Sequence, residues 1–385
     1  MTRLFMRNIL FDLKCTQPAG STKRHGGGKY GEIIFKRIVE RGLTVICTYD
    51  SSKWFNEEIL SLIKTNDIKL CDLHAQSLDD IVQKNHINIL YVPCYITEEM
   101  ANFDKCQVVT SIHGQRTLEC PIDYFEMLYR PWTNIGRYMF KRLFTNYYRQ
   151  RRHADPIRRM LKSKMGIVTV SEHSAKAFDV FFPEFGGMDI PAFYSPNTSD
   201  REISKRKYNE KFFLLVSAGR PFKNCLRGII ALDRLFSNGF LDDYRVKITG
   251  DNGPRTFRYS IRNPNKFDFL GYVDEQELNQ LYHDAYCLIY PSLNEGFGYP
   301  PMEAMHYGTP VLASPISSIP EVCQGAAIYF NPFSVEEIMN RILLMKDPDI
   351  HEKYSKLAIE QFGRIKERQD RDLDKLIDYI YNFGV

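Results

Sequence analysis

Apolar positions along this chain follow two periods. Short apolar or β-branched runs stand at Asn8–Leu13, Leu43–Thr48, Asn88–Pro93, Val108–Ile112 and Ile167–Val170. Their length and composition suit strands buried on both faces. The stretches between them are amphipathic. After the first run, Ile34 and Ile38 stand four apart among Ile33, Arg37 and Arg41, the spacing of one helix face. The pattern resumes at Phe212–Ser217, Tyr244–Thr249, Phe267–Leu270, Cys287–Tyr290, Pro310–Ala313 and Ala326–Phe330. Strand–helix alternation of this length predicts an α/β fold of parallel sheets with helices on both faces. It breaks at SDREISKRKYNEK, residues 199–211, which is charged and has no apolar period, as an interdomain linker would. Two doubly wound domains are therefore expected, 1–200 and 205–385. A charged helical tail, about 348–381, could pack on either. Such domains bind ligands outside the carboxyl ends of their strands, and two of them facing each other would share one cleft.

Composition narrows the class. With 385 residues and 44% hydrophobic content, the chain can build cores and is not disordered. Its net charge of +4, from 51 basic and 47 acidic residues, excludes a histone-like or polyanionic chain. No apolar run approaches the roughly 18 residues of a membrane span. The N-terminal apolar stretch is broken by Asp12, which makes a poor secretory signal. Nine widely spaced cysteines without a C-x-x-C pair suggest a reducing compartment and small core residues, not a disulfide framework or zinc site. The mild overall charge hides a local one. Residues 137–164 hold ten basic side chains against Asp155, a net +9 that leaves −5 for the rest, with Tyr138, Phe140, Phe144, Tyr147 and Tyr148 interleaved. Such a segment suits an anionic membrane surface or an anionic acceptor; the bland alternative is a solvated helix face. No nucleic-acid fold motif accompanies it.

Candidate chemistry concentrates in Tyr290–Pro320, YPSLNEGFGYPPMEAMHYGTPVLASPISSIP. A strand ends near Tyr290, and a loop carries Glu295, Gly296, Phe297 and Gly298. Pro300 and Pro301 suit a helix start, placing Glu303 in the first helical turn, and Gly308 closes the helix. Two carboxylates thus flank a helix N-terminus whose amides and dipole favour an anion. A second element, FFLLVSAGRPFKN over 212–224, runs from a strand into a turn with two cations, Arg220 and Lys223. In the N-terminal half, the Gly-rich stretch Gln17–Gly31 is read as a loop before the first helix. Its Gly26, Gly28 and Gly31 formally fit G-x-G-x-x-G, with Asp50 where a ribose-binding acid might lie, but the loop is long for a dinucleotide turn. His113 ends the strand of VVTSIHG, and Ser171 is a candidate N-cap two residues before His173.

The pair Glu295 and Glu303 inside NEGFGYPPMEAM, with the flanks GTPVLASPISSIPEV and AAIYFNPFSVEEI, resembles the signature of the retaining glycosyltransferase family 4, or glycosyl transferases group 1, with the GT-B fold. The resemblance is dense over about 285–340. It implies two Rossmann-like domains, with acceptor mainly on the first and nucleotide-sugar on the second. It implies that Glu295 contacts the donor sugar, that Glu303 holds the ribose and that the amides of Gly296, Phe297 and Gly298 face the diphosphate. Arg220 and Lys223 would grip that diphosphate, Tyr272 would pack near the base, Gly27 and Gly28 would border the phosphate, and His113 would lie beside the sugar. A hexose would pass from a UDP- or GDP-sugar to a hydroxyl of a glycan or lipid-linked acceptor, with no cofactor and no metal. The D-x-D triplets at Asp347–Asp349, Asp370–Asp372 and Asp372–Asp374 sit in or beside the charged tail, not after a core strand. A cytoplasmic enzyme, peripheral at the membrane's inner face, is the resulting expectation. A sugar-nucleotide epimerase on a related fold and an inactive nucleotide-sugar-binding scaffold are the alternatives.

Overall fold

The computed structural model describes residues 7–18, 26–94, 104–161, 165–196 and 211–384; the 199–210 part of the expected linker and the 19–25 part of the Gly-rich stretch lie outside them. The apolar runs become strands β1 (Ile9–Asp12), β2 (Ile46–Tyr49), β4 (Ile89–Val92), β5 (Gln107–Ile112) and β6 (Gly166–Thr169), joined by β3 (Leu70–Asp72). The second series is β7 (Lys211–Leu215), β8 (Tyr244–Thr249), β9 (Phe267–Gly271), β10 (Cys287–Tyr290), β11 (Val311–Ala313) and β12 (Ala327–Tyr329). Among the described residues they form two parallel six-stranded sheets, ordered β3-β2-β1-β4-β5-β6 and β12-β11-β10-β7-β8-β9. Each sheet has the doubly wound order 3-2-1-4-5-6. In each, the chain reverses direction beside its first strand, so the crevices fall between β1 and β4 and between β7 and β10.

Burial explains these runs. All four residues of β1, β4, β6 and β10 are buried, as strands covered on both faces require. Asp12, the polar residue of the first run, completes β1. Its Oδ1 accepts from Thr48 Oγ1 at 2.9 Å and from the Lys14 amide at 3.2 Å. Burial, against those bonds and the charge of Lys14, pushes its carboxyl up to about 6. β3 was not expected, because a three-residue edge strand has too little pattern to show.

The chain divides into two compact units, with one crossing at 198/199, where the charged linker begins. One comprises 1–115, 153–198 and 366–385; the other comprises 116–152 and 199–365. The segment 116–152, expected with the first domain, thus groups with the second unit. Residues 116–152 join the second unit because they are fastened to it. Arg227, on the helix Cys225–Ser237, holds Asp123 with both terminal nitrogens. The Leu226 amide donates to Tyr129 Oη at 3.2 Å, and Tyr129 bridges antiparallel to Phe257. The tail is one helix, Pro348–Asn382, and its last part packs with the first unit. There Arg37 donates to Asp374 at 2.9 and 2.8 Å, and the Tyr194 amide to Asp372 at 3.1 Å. Two of the D-x-D carboxylates are therefore structural acceptors. No described helix is long and apolar enough to cross a membrane.

Candidate functional site

The reversal in the second sheet brings Lys223 and Glu295 together, although they lie 72 residues apart in sequence. β7 leads through a left-handed Ser217 (φ 58°) into the 3-10 turn Pro221–Lys223, closed by a left-handed Asn224 (φ 56°). Asn224 pins the turn by donating to Pro291 O at 3.1 Å and Pro332 O at 2.8 Å. β10 leads directly to Glu295. Lys223 Nζ donates to Glu295 Oε1 and to Tyr290 Oη, each at 2.7 Å. Tyr290 Oη and Ser292 Oγ also donate to Oε1. The same oxygen thus receives all three donors, and Oε2 receives none among the described residues. Lys223 and Glu295 side chains are each only 8% exposed. Burial pushes the Glu295 carboxyl up, but the Lys223 charge and the bonds from Lys223, Ser292 and Tyr290 outweigh it and hold the group below its ordinary value. Ser317 and Ser318 fix the loop itself. Ser317 Oγ accepts from the Glu295 amide at 2.8 Å, and Ser318 Oγ donates to the Glu295 carbonyl at 3.1 Å.

The other expected residues fall as follows. Arg220 is exposed and has no carboxylate partner among the described residues, so the two cations of one turn have different settings. Gly298, at φ +104°, caps the helix Tyr299–His306. The helix therefore starts one residue before Pro300, and Glu303 stands in its second turn instead of the first. Glu303 lies beside Tyr282; burial first, and then the Glu303 carboxylate, push that phenol well above its usual range. Phe297 is buried with its ring 5.5 Å from Tyr299, which leaves only its backbone for a ligand. Gly296 precedes it on the same loop. Tyr272 is 79% exposed.

In the first sheet the corresponding reversal gathers Gly27, Gly28 and His113. The Gly-rich stretch is not a loop throughout: a helix begins at Gly26 and runs to Glu40, so Gly27 and Gly28 form its first turn. A Cβ on Gly31 would come within 2.9 Å of Thr16 Cγ2 and 3.1 Å of Pro93 Cγ, so only glycine lets the helix approach β4's end this closely. Cys94 Sγ donates to Gly27 O at 2.9 Å. His113 Nε2 donates to Pro93 O at 2.9 Å, and its ring meets the edge of Tyr30 at 4.5 Å. Tyr30 and Tyr91 both bond Ser111 Oγ, at 3.0 and 2.8 Å. Ser171 caps the helix Glu172–Phe181 through the Ser174 amide, as its position predicts.

Sequence reasoning missed the supports: Tyr290 and Ser292 under Glu295, Tyr282 beside Glu303, and the tyrosines beside His113. Opposite charges after β7 and β10, on either side of a chain reversal, were the available signal for the Lys223–Glu295 pair. Among the described residues no cluster of histidine, cysteine and carboxylate side chains could hold a metal.

Comparison with known proteins places this geometry in context. Residues 196–361 match the family described as glycosyl transferases group 1. The O-antigen chain mannosyltransferase RfbU of Salmonella typhimurium is 34% identical over 213 residues, 53% of this chain and 54% of that protein. The O-antigen chain mannosyltransferase B of Escherichia coli is 44% identical over 75 residues, 20% of each chain. The chain thus matches about half the length of the first relative and a fifth of the second. Among solved structures, sucrose-phosphate synthase from Thermosynechococcus elongatus superposes with a TM-score of 0.66 at 14% identity, over 97% of this chain and 99% of that one. HepE from Anabaena, solved with UDP and glucose, superposes with a TM-score of 0.62 at 16% identity, again over 97% and 99%. These likenesses establish the GT-B fold.

Proposed function

We propose that the chain, whose residues 196–361 match the glycosyl transferases group 1 family, belongs to that family and transfers a hexose from a UDP- or GDP-sugar to a hydroxyl of a glycan or lipid-linked acceptor. Mannose is the first candidate, because both O-antigen relatives are mannosyltransferases. The carrying observation is the Lys223–Glu295 cluster. Three donors lock Glu295 in place through Oε1, so Oε2 can accept from a sugar hydroxyl without reorganisation. Lys223 spends two of its three N–H bonds inside the cluster, which leaves one for a phosphate oxygen. Arg220 adds mobile charge from solvent. Glu303 would take the ribose hydroxyls, Tyr272 the base, and the amides of Gly296, Phe297 and Gly298 the diphosphate. For Gly27, Gly28 and His113, a role at the donor is supported by the family resemblance of their stretches alone.

Chemistry follows from charge. As the bond between the anomeric carbon and the phosphate oxygen breaks, negative charge grows on the nucleoside diphosphate. Arg220, Lys223 and the helix amides stabilise it where it develops. The acceptor oxygen bonds to the same face of the anomeric carbon, and its proton passes to the departing phosphate oxygen. Configuration is retained, and no protein base, cofactor or metal is required. A cytoplasmic location at the membrane's inner face fits the basic, aromatic segment that begins at residue 137.

Calorimetry with UDP, GDP, ADP and TDP, first with magnesium and then with EDTA, tests this reading. One nucleotide should bind tightly and equally in both conditions, and Glu303→Ala should weaken it about tenfold or more, the loss of a charge-assisted hydrogen bond. Binding abolished by EDTA would remove the metal-free mechanism. Binding of no nucleotide would remove the donor site.

A further inference from the structure

A cavity of about 220 Å³ opens within the second unit, beside the loops that carry Lys223 and Glu295. Phe222 and Leu293 of those loops line one side, and the segment 116–149 lines the other. Four cations reach it: Arg116, Arg137, Lys141 and Arg149. Both acids in its wall are already taken. Glu126 accepts from Lys141 at 2.8 and 2.9 Å, and Asp123 is held by Arg227. Three guanidinium groups remain without a carboxylate among the described residues. Arg116 lies over the Phe222 ring at 4.1 Å, and Arg149 donates to Cys120 O at 3.2 Å. Arg137 lines the cavity without a hydrogen-bond partner among the described residues. Guanidinium groups stay charged at every relevant pH and match phosphate oxygens two at a time. The proposed donor diphosphate has its own cations, Arg220 and Lys223, so these three answer a second anion.

We infer that this cavity binds the phosphate or diphosphate of the acceptor, the group that joins a glycan to its lipid carrier. The inference rests on the proposed transfer and names the acceptor's class. The same segment carries exposed Leu143, Phe144 and Tyr147, at 68%, 55% and 53%, an apolar surface for the chain such a phosphate would bear.

Inorganic pyrophosphate is the probe. It is titrated into the full chain, alone and with saturating UDP or GDP. Pyrophosphate should still bind when the nucleotide site is full. Arg137→Gln with Arg149→Gln should weaken that binding at least tenfold and leave nucleotide affinity unchanged. In transfer assays the same variant should raise KM for a diphosphate-linked acceptor and not for its phosphate-free glycan. Competition between pyrophosphate and nucleotide for a single site overturns the proposal, as does equal pyrophosphate binding by the variant. A variant that loses nucleotide in step with pyrophosphate assigns the cavity to the donor and also overturns it. If neither nucleotide binds, the donor reading fails by itself, and the pyrophosphate titration still decides the cavity.

Discussion

At the scale of single residues, one buried pair joins stability to the proposed chemistry. Glu295→Gln leaves the Lys223 ammonium in a site where its side chain is 8% exposed, with no counter-charge. Breaking a buried pair costs about 3–5 kcal/mol, and urea denaturation should show a loss of that order together with lost transfer. Lys223→Met combined with Glu295→Gln removes both charges, so stability should return toward wild type while transfer stays absent. A double variant as unstable as the single one would mean that the pair is not what holds these loops. The pH dependence has a definite sign. The folded Glu295 carboxyl sits below its ordinary value, so its contribution is present above the unfolded carboxylate's range and is lost as pH falls through the lower folded value. Glu295→Gln should flatten that part of the acid limb. The charges themselves were legible in the sequence. Their pairing was not, because the two residues lie 72 apart and meet only through the order of their strands, which local pattern does not encode.

Among elements, the strands read best because burial on both faces writes continuous apolar runs. Tyr244–Thr249 and Cys287–Tyr290 agree with β8 and β10 residue for residue. The Gly-rich start of the first helix read worst. Glycine lowers helix propensity by about 1 kcal/mol, yet Gly26–Gly28 begin a helix whose buried Ile33, Ile34, Phe35 and Ile38 anchor it. Residues 116–152 group with the second unit through long-range contacts that local pattern does not write, the pair of Arg227 and Asp123 among them. Arg227 is buried, lies 3.6 Å from the Phe125 ring centroid and holds Asp123. Asp123→Ala should strand that guanidinium at a cost of about 3–5 kcal/mol. The segment should then loosen before the sheet does. Amide exchange in the helix Thr133–Leu143 is the readout, with at least tenfold faster exchange expected there and no change in β7 or β10. Uniform protection across both would show that Asp123 does not fasten the segment.

For the whole molecule, a net charge of +4 averages away a strongly asymmetric segment. On the helix Thr133–Leu143 and its flanks, Trp132, Met139, Leu143 and Tyr147 recur at helical spacing and are 74%, 44%, 68% and 53% exposed. Helical stripes of this kind are ordinarily buried. This one is flanked by Arg142, Arg151 and Arg152, a composition suited to lying in the interface of an anionic bilayer. Each cation near such a surface contributes about 1 kcal/mol, and the attraction decays within a Debye length. Binding to vesicles with anionic lipid should therefore fall steeply between low and physiological salt and be weak on neutral vesicles. Arg151→Glu with Arg152→Glu should reduce it by an order of magnitude or more, about 1.4 kcal/mol per factor of ten. Leu143→Ser should weaken it through lost apolar burial without changing the salt dependence. Those two effects separate the contributions, because charge reversal acts through a screened field and serine acts through buried area. Sedimentation with the vesicles, run across salt for all three proteins, reads both. Absent or salt-independent binding would return the segment to a solvated helix face.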